Sequence, residues 1–109
     1  MLRLSIPMLG ALLAPAMLLA QKQPVVPQGQ TKKALENVQR VVEAAGGTMA
    51  GVLKCTVFLI DAKDFAGMNT VYRQAFPSEP PARSTVVVAA LVSPAARVEI
   101  ECIAALPHK

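Results

Sequence analysis

Between residues 31 and 105 the apolar residues change their spacing three times, from a helical step to an alternating one, back again, and then to two more strand-like runs. In residues 31–45, Leu35, Val38, Val42 and Ala45 recur at steps of three and four, which is the period of one helix face. Gly46-Gly47 ends that helix, because glycine accepts the left-handed backbone that helix C-termini use. Residues 52–60 are rich in β-branched and aromatic side chains and predict a strand. Asp61 and Asp64 are both suited to cap a second helix, which runs to about Phe76 and buries Phe65, Met68, Tyr72 and Ala75. Pro77, Pro80 and Pro81 stop it. Residues 83–91 and 97–105 predict two further strands, and the short link at 92–96 predicts that they form an antiparallel hairpin. A helix between the first two strands predicts a right-handed crossover if those strands lie parallel in one sheet. The order fits an α+β domain with both helices on one face of the sheet.

The chain of 109 residues suffices for one small domain. It opens with Met1-Leu2-Arg3, a short positive start, and residues 4–20 carry no charge. Pro7, Gly10 and Pro15 interrupt that run, which is shorter than the roughly 20 residues of a spanning helix. Small residues at Ala14, Ala16 and Ala20 offer cleavage points. Residues 1–20 are therefore expected to be a cleaved signal peptide, leaving a periplasmic or secreted protein with no stable membrane span. Residues 21–30, with Pro24, Pro27 and Gly29, are expected to be a linker or irregular arm, and 31–109 the folded domain. The run Val86-Val87-Val88-Ala89-Ala90-Leu91 suggests a strand covered on both faces, and a subunit interface would supply the cover.

Several kinds of chemistry are excluded. The sole histidine, His108, is the penultimate residue, so a Ser-His or Cys-His pair is not expected. There is no glycine-rich phosphate loop or dinucleotide fingerprint, and no set of metal ligands, so no cofactor is expected. The net charge of +4 is spread along the chain, with one tyrosine and no tryptophan, which gives nucleic acid neither a basic stripe nor a stacking platform. Cys55 and Cys102 lie in apolar runs. The plain reading is two buried thiols, although an oxidising compartment would permit a disulfide.

What remains is chemistry built on arginine, carboxylate and backbone groups. Pro80-Pro81 stiffens the chain just before Arg83, whose guanidinium could bind a carboxylate through two parallel hydrogen bonds. Chemistry alone favours an ordinary strand-end arginine paired with a surface acid. Glu99 and Glu101 alternate with Val98, Ile100 and Cys102, so both glutamates share one sheet face. That face is either simply wet or holds a carboxylate that orients a water. In the expected hairpin Arg83 and Glu99 would lie on the order of 20 Å apart, so a joint site would need two subunits.

Residues 31–38, Ala44-Ala45-Gly46, 52–59, Asp61, Asp64-Phe65, Asn69, Tyr72, Phe76-Pro77, Pro80-Pro81-Ala82-Arg83-Ser84 and 98–104 together resemble the RidA (YjgF) family. The resemblance implies a chorismate-mutase-like α+β sheet and a homotrimer with clefts between subunits. It also implies hydrolytic deamination of reactive 2-imino acids to 2-oxo acids and ammonia. Arg83 would hold the substrate carboxylate, the backbone at Thr85 would line the cleft, and Glu99 would position the hydrolytic water. The glycine-proline-tyrosine and serine-glycine-glutamine motifs of the family's first strands are absent, so the resemblance implies a sheet truncated at its N-terminal strands with an exposed edge. The alternative is a non-catalytic, small-ligand-binding or chaperone-like protein that uses this edge and its apolar surface. A ribonuclease finds little support in the scattered charge.

Overall fold

Helix α1 (Val25–Ala44) begins well before residue 31, so much of the expected irregular arm is helical. Pro27 falls in the first turn, where a backbone N–H has no intrahelical partner to lose. Thr31, fully buried, satisfies its hydroxyl by donating to the Pro27 carbonyl at 2.6 Å. The structure, a computed structural model, describes residues 25–108, so the expected signal peptide lies outside the described residues. No described helix is long and apolar enough to cross a membrane.

The stop at Gly46-Gly47 is as the sequence implies. Gly46 takes φ +94°, and the amides of Gly46 and Gly47 reach back to the carbonyls of Glu43 and Val42 at 3.0 and 2.9 Å. A 3₁₀ turn (Met49–Gly51) leads into β1 (Val52–Leu59). Gly51 meets the chain's end closely: its carbonyl accepts from the Ala105 amide at 2.8 Å, and a Cβ there would lie 2.7 Å from the Ala105 carbonyl oxygen. A second 3₁₀ turn (Ala62–Asp64), capped by the Asp61 carboxylate on the Lys63 amide, precedes α2 (Phe65–Ala75). Strands β2 (Ala82–Val87) and β3 (Val98–Ala104) complete the order.

The sheet order is β2-β1-β3, with β1 parallel to β2 and antiparallel to β3. The expected hairpin between the last two strands is thus not formed; they lie on opposite sides of β1. The link between them straddles the end of β1. The Val88 amide donates to the Leu59 carbonyl at 2.8 Å, and the Ile60 amide donates to the Arg97 carbonyl at 3.3 Å. The central place goes to β1, whose Cys55, Val57 and Leu59 are fully buried on the helix face, so that its backbone groups are satisfied by strands on both edges.

Those three residues face the helices, where Leu35 and Val42 of α1 and Met68 and Tyr72 of α2 close the core. Both helices therefore cover one sheet face, and the other is open. Val86 and Val87 are exposed, so no described residue supplies the cover expected for their run. Phe65, expected in the core, is also 42% exposed. Cys55 and Cys102 are register partners on β1 and β3 and are joined by a disulfide, in place of two separate thiols. A bridge closing a loop of this length contributes about 4 kcal/mol by chain-entropy reasoning.

Candidate functional site

Arg83 enters β2 one residue after its first, in register with Cys55 of the central strand. Residues paired across strands point to the same face, so Arg83 shares the helix side with Cys55 and Cys102. Because β2 is an edge strand, its guanidinium meets the flank of α2 rather than the deepest core. There it donates from Nη1 to the Asn69 side-chain oxygen at 2.8 Å. Its Cζ stands 4.6 Å from the ring centre of Tyr72 and 5.6 Å from that of Phe65. Phe65, Asn69 and Tyr72 recur at i, i+4 and i+7, so one stripe of α2 supplies all three contacts. Burial pushes the Tyr72 phenol above its ordinary range, while the neighbouring Arg83 charge pulls it the other way. The Tyr72 hydroxyl is buried with no hydrogen-bond partner among the described residues.

No carboxylate among the described residues pairs with Arg83. The strand-end arginine that pairs with an acid is Arg97, just ahead of β3. Its Nε and Nη2 both donate to Oδ2 of Asp64, at 3.2 and 2.9 Å. Asp64, read from the sequence as a helix cap, makes no capping hydrogen bond; its buried carboxylate serves this pair. Gln30 of α1 completes the junction, accepting from the Arg97 amide at 2.7 Å and donating to the Ala95 carbonyl at 2.9 Å.

Thr85 lies two residues from Arg83 on the same side of β2, in register with Val57. Glu99 lies elsewhere. It pairs with Phe58 on β1, one strand beyond Arg83's neighbour, and is exposed on the open face with Glu101. Two strand spacings and three residues of offset put its Cα roughly 14 Å from that of Arg83, with the side chains on opposite faces. The two residues are thus separated within one chain, for this reason and not because of a hairpin. Two surface hollows, of about 180 Å³ between α1 and α2 and about 340 Å³ beside Phe76 and Pro77, contain none of Arg83, Thr85 or Glu99. Among the described residues no cluster of His, Cys, Asp or Glu could hold a metal ion.

The sequence points to Arg83 but not to what holds it. The signal for it is the spacing of Phe65, Asn69 and Tyr72 on one helix stripe, whose apolar members the helical period alone places in the core.

The family model described as Endoribonuclease L-PSP matches residues 19–106. Over 80 residues the chain is 42% identical to Protein mmf2, mitochondrial, from Schizosaccharomyces pombe, covering 72% of this chain and 64% of that one. A solved Entamoeba histolytica structure, described as a candidate endoribonuclease L-PSP, is 43% identical with a TM-score of 0.67, over 70% of this chain and 60% of that one. A Klebsiella pneumoniae structure, described as a candidate endoribonuclease, gives a TM-score of 0.72 at 27% identity, over 74% and 60% of the two chains. The chain therefore spans a little under two thirds of the length of these relatives.

Proposed function

Because this chain belongs to the endoribonuclease L-PSP family, also called RidA or YjgF, we propose that it hydrolyses reactive 2-imino acids to 2-oxo acids and ammonia at a site centred on Arg83. The observation that carries this reading is the state of that guanidinium. It is held by a carboxamide and two aromatic rings, none of which neutralises it, and its Nε/Nη2 edge makes no hydrogen bond to any described residue. A planar carboxylate fits that edge through two parallel hydrogen bonds.

Glu99 supplies the second element. Since it lies on the opposite face from Arg83, the site takes its glutamate from another copy of the chain, and a homotrimer with clefts between subunits is part of the proposal. Water held by that carboxylate attacks the imine carbon and gives up a proton as the C–O bond forms. In the resulting carbinolamine the nitrogen takes up a proton, the hydroxyl gives one up as its oxygen forms the C=O bond, and the C–N bond breaks to release ammonia and the 2-oxo acid. The protein contributes orientation and proton transfer. Thr85, beside Arg83, lines the cleft with its backbone.

A second reading is non-catalytic: a small-ligand-binding or chaperone-like protein that uses the open sheet. Apolar exposure on the open face favours it, since Ile103 is 65% exposed and Val86 42% exposed. The two are separated by measuring the mass of the purified protein by light scattering and imine hydrolysis on the same sample. Turnover by a trimer, lost in Arg83→Ala, supports the first; an inactive species of any size supports the second. RNA cleavage on that sample tests the activity named for the relatives. Export to the periplasm or outside the cell, with removal of residues 1–20, is also proposed, and the Cys55–Cys102 bridge supports an oxidising compartment. N-terminal sequencing of the mature protein tests it.

A further inference from the structure

We infer that Asn69 and Tyr72 are positioning residues that fix the guanidinium of Arg83 with its Nε/Nη2 edge turned to the substrate carboxylate. This rests on the deaminase reading for its substrate class, but its geometry does not depend on turnover.

An arginine side chain has about 2 kcal/mol of rotamer entropy to lose, so one that must present a fork in a set direction needs support before the ligand arrives. Arg83 has two kinds. Asn69 accepts from Nη1, which fixes rotation about the long axis of the group. The Tyr72 ring, 4.6 Å from Cζ, and the Phe65 ring, 5.6 Å away, support the guanidinium by cation–π attraction. Covalent geometry places Nη1 away from the Nε–H, so the Asn69 contact leaves the Nε/Nη2 pair together on the far side. Arg97 shows that this edge suits a carboxylate, since the same two nitrogens meet Asp64 there.

The identity of residue 69 matters as much as its position. An aspartate would accept the same hydrogen bond, but its charge would neutralise Arg83 and compete with an incoming anion. A carboxamide holds the cation and leaves its charge to the ligand. Tyr72 carries a matching indication. Its hydroxyl is buried and unpartnered, so the residue is not optimised for stability at that place, whereas its ring lies against Arg83.

Positioning of this kind acts on ground state and transition state alike, so its loss raises KM and leaves kcat nearly unchanged. The test uses the full chain and two readouts: steady-state hydrolysis of 2-iminobutanoate, and calorimetric binding of 2-oxobutanoate, a stable acid with the same carboxylate. Asn69→Ala and Tyr72→Leu are expected to raise KM and the 2-oxobutanoate Kd about tenfold, with kcat within about twofold. Tyr72→Phe, which restores the ring, is expected to recover most of the KM and Kd lost in Tyr72→Leu. Asn69→Asp is expected to weaken binding at least as much as Asn69→Ala. In an Arg83→Lys background, Asn69→Ala is expected to add less than about twofold, because its effect passes through the guanidinium fork. If Asn69→Ala and Tyr72→Leu bind and turn over like the parent, or if Asn69→Ala has its full effect in the Arg83→Lys background, the inference is overturned while the deaminase reading stands. If 2-oxobutanoate binds with this pattern but no imine is hydrolysed, the deaminase reading fails and the inference survives. No binding by the parent chain sinks both.

Discussion

Two arginines flank the same small sheet and have been put to opposite uses. Arg97 spends its Nε/Nη2 edge on the buried carboxylate of Asp64, and its backbone amide on Gln30, so α1, the turn before α2 and the entry to β3 are held as one junction. Arg83 rests on a carboxamide and two rings, and among the described residues nothing takes that same edge or neutralises its charge. Neither local sequence announces the difference: one arginine follows Ala96, the other Ala82. It arises from α2, whose N-terminus offers Asp64 to one arginine and whose flank offers Asn69 to the other. The charge on the partner decides whether an arginine at a strand end is neutralised or keeps its charge, and the proposed function rests on the second case.

The comparison breaks most sharply if the two arginines are not separable. Arg83→Ala is expected to lower kcat/KM for imine hydrolysis by about 100-fold or more, the loss of two charge-assisted hydrogen bonds, with little change in urea midpoint. A variant that unfolded easily but kept its activity per folded molecule would reverse the assignment. Asp64→Ala is the mirror experiment. Removing one partner of a buried pair costs roughly 3–5 kcal/mol, and the partial exposure of Arg97 reduces the expected loss here to about 2 kcal/mol. Equilibrium denaturation measures it, while kcat/KM per folded molecule is expected to stay within about twofold. A large activity loss in a stable Asp64→Ala protein would mean that the junction also shapes the site.

How far the sequence carried this reading depends on the range of the interaction. Helix periods, the Gly46-Gly47 stop and the proline block are local, and the structure follows them. Pro27 misled about the start of α1, because proline breaks a helix interior but suits its first turn. The pairing of β2 with β3 failed for a different reason. Ser93 and Ala96 do form a local turn, with the Ala96 amide 3.0 Å from the Ser93 carbonyl, but a turn between strands does not say which strand lies between them. The alternation through Cys55, Val57 and Leu59 is what claims the centre, and it becomes decisive only once both helices cover that face. Arg83 stands out in the sequence through its prolines and its family context; Asn69 and Tyr72 share that family context, but their contact with the guanidinium is visible only in the fold. Phe65 read as core because spacing tells which face a residue shares, not how deeply that face is buried.

Tyr72 offers the smallest effect and a clean readout, since it is the only tyrosine and the chain has no tryptophan. Its hydroxyl is buried without a partner, so Tyr72→Phe is expected to leave stability unchanged at neutral pH or raise it by about 1 kcal/mol. The pH dependence has a definite sign. Burial raises the folded-state value above the ordinary 10.0, so the folded protein holds this proton more tightly than the unfolded chain. The resulting stability is fully present below about pH 10 and is lost as the pH climbs through the folded-state value. The parent should therefore weaken at alkaline pH more steeply than Tyr72→Phe, and its tyrosinate absorbance should appear later than that of free tyrosine. An ordinary titration curve would mean that solvent or a ligand group reaches the hydroxyl, and would bring Tyr72 into the substrate's surroundings as more than a surface for Arg83 to rest on.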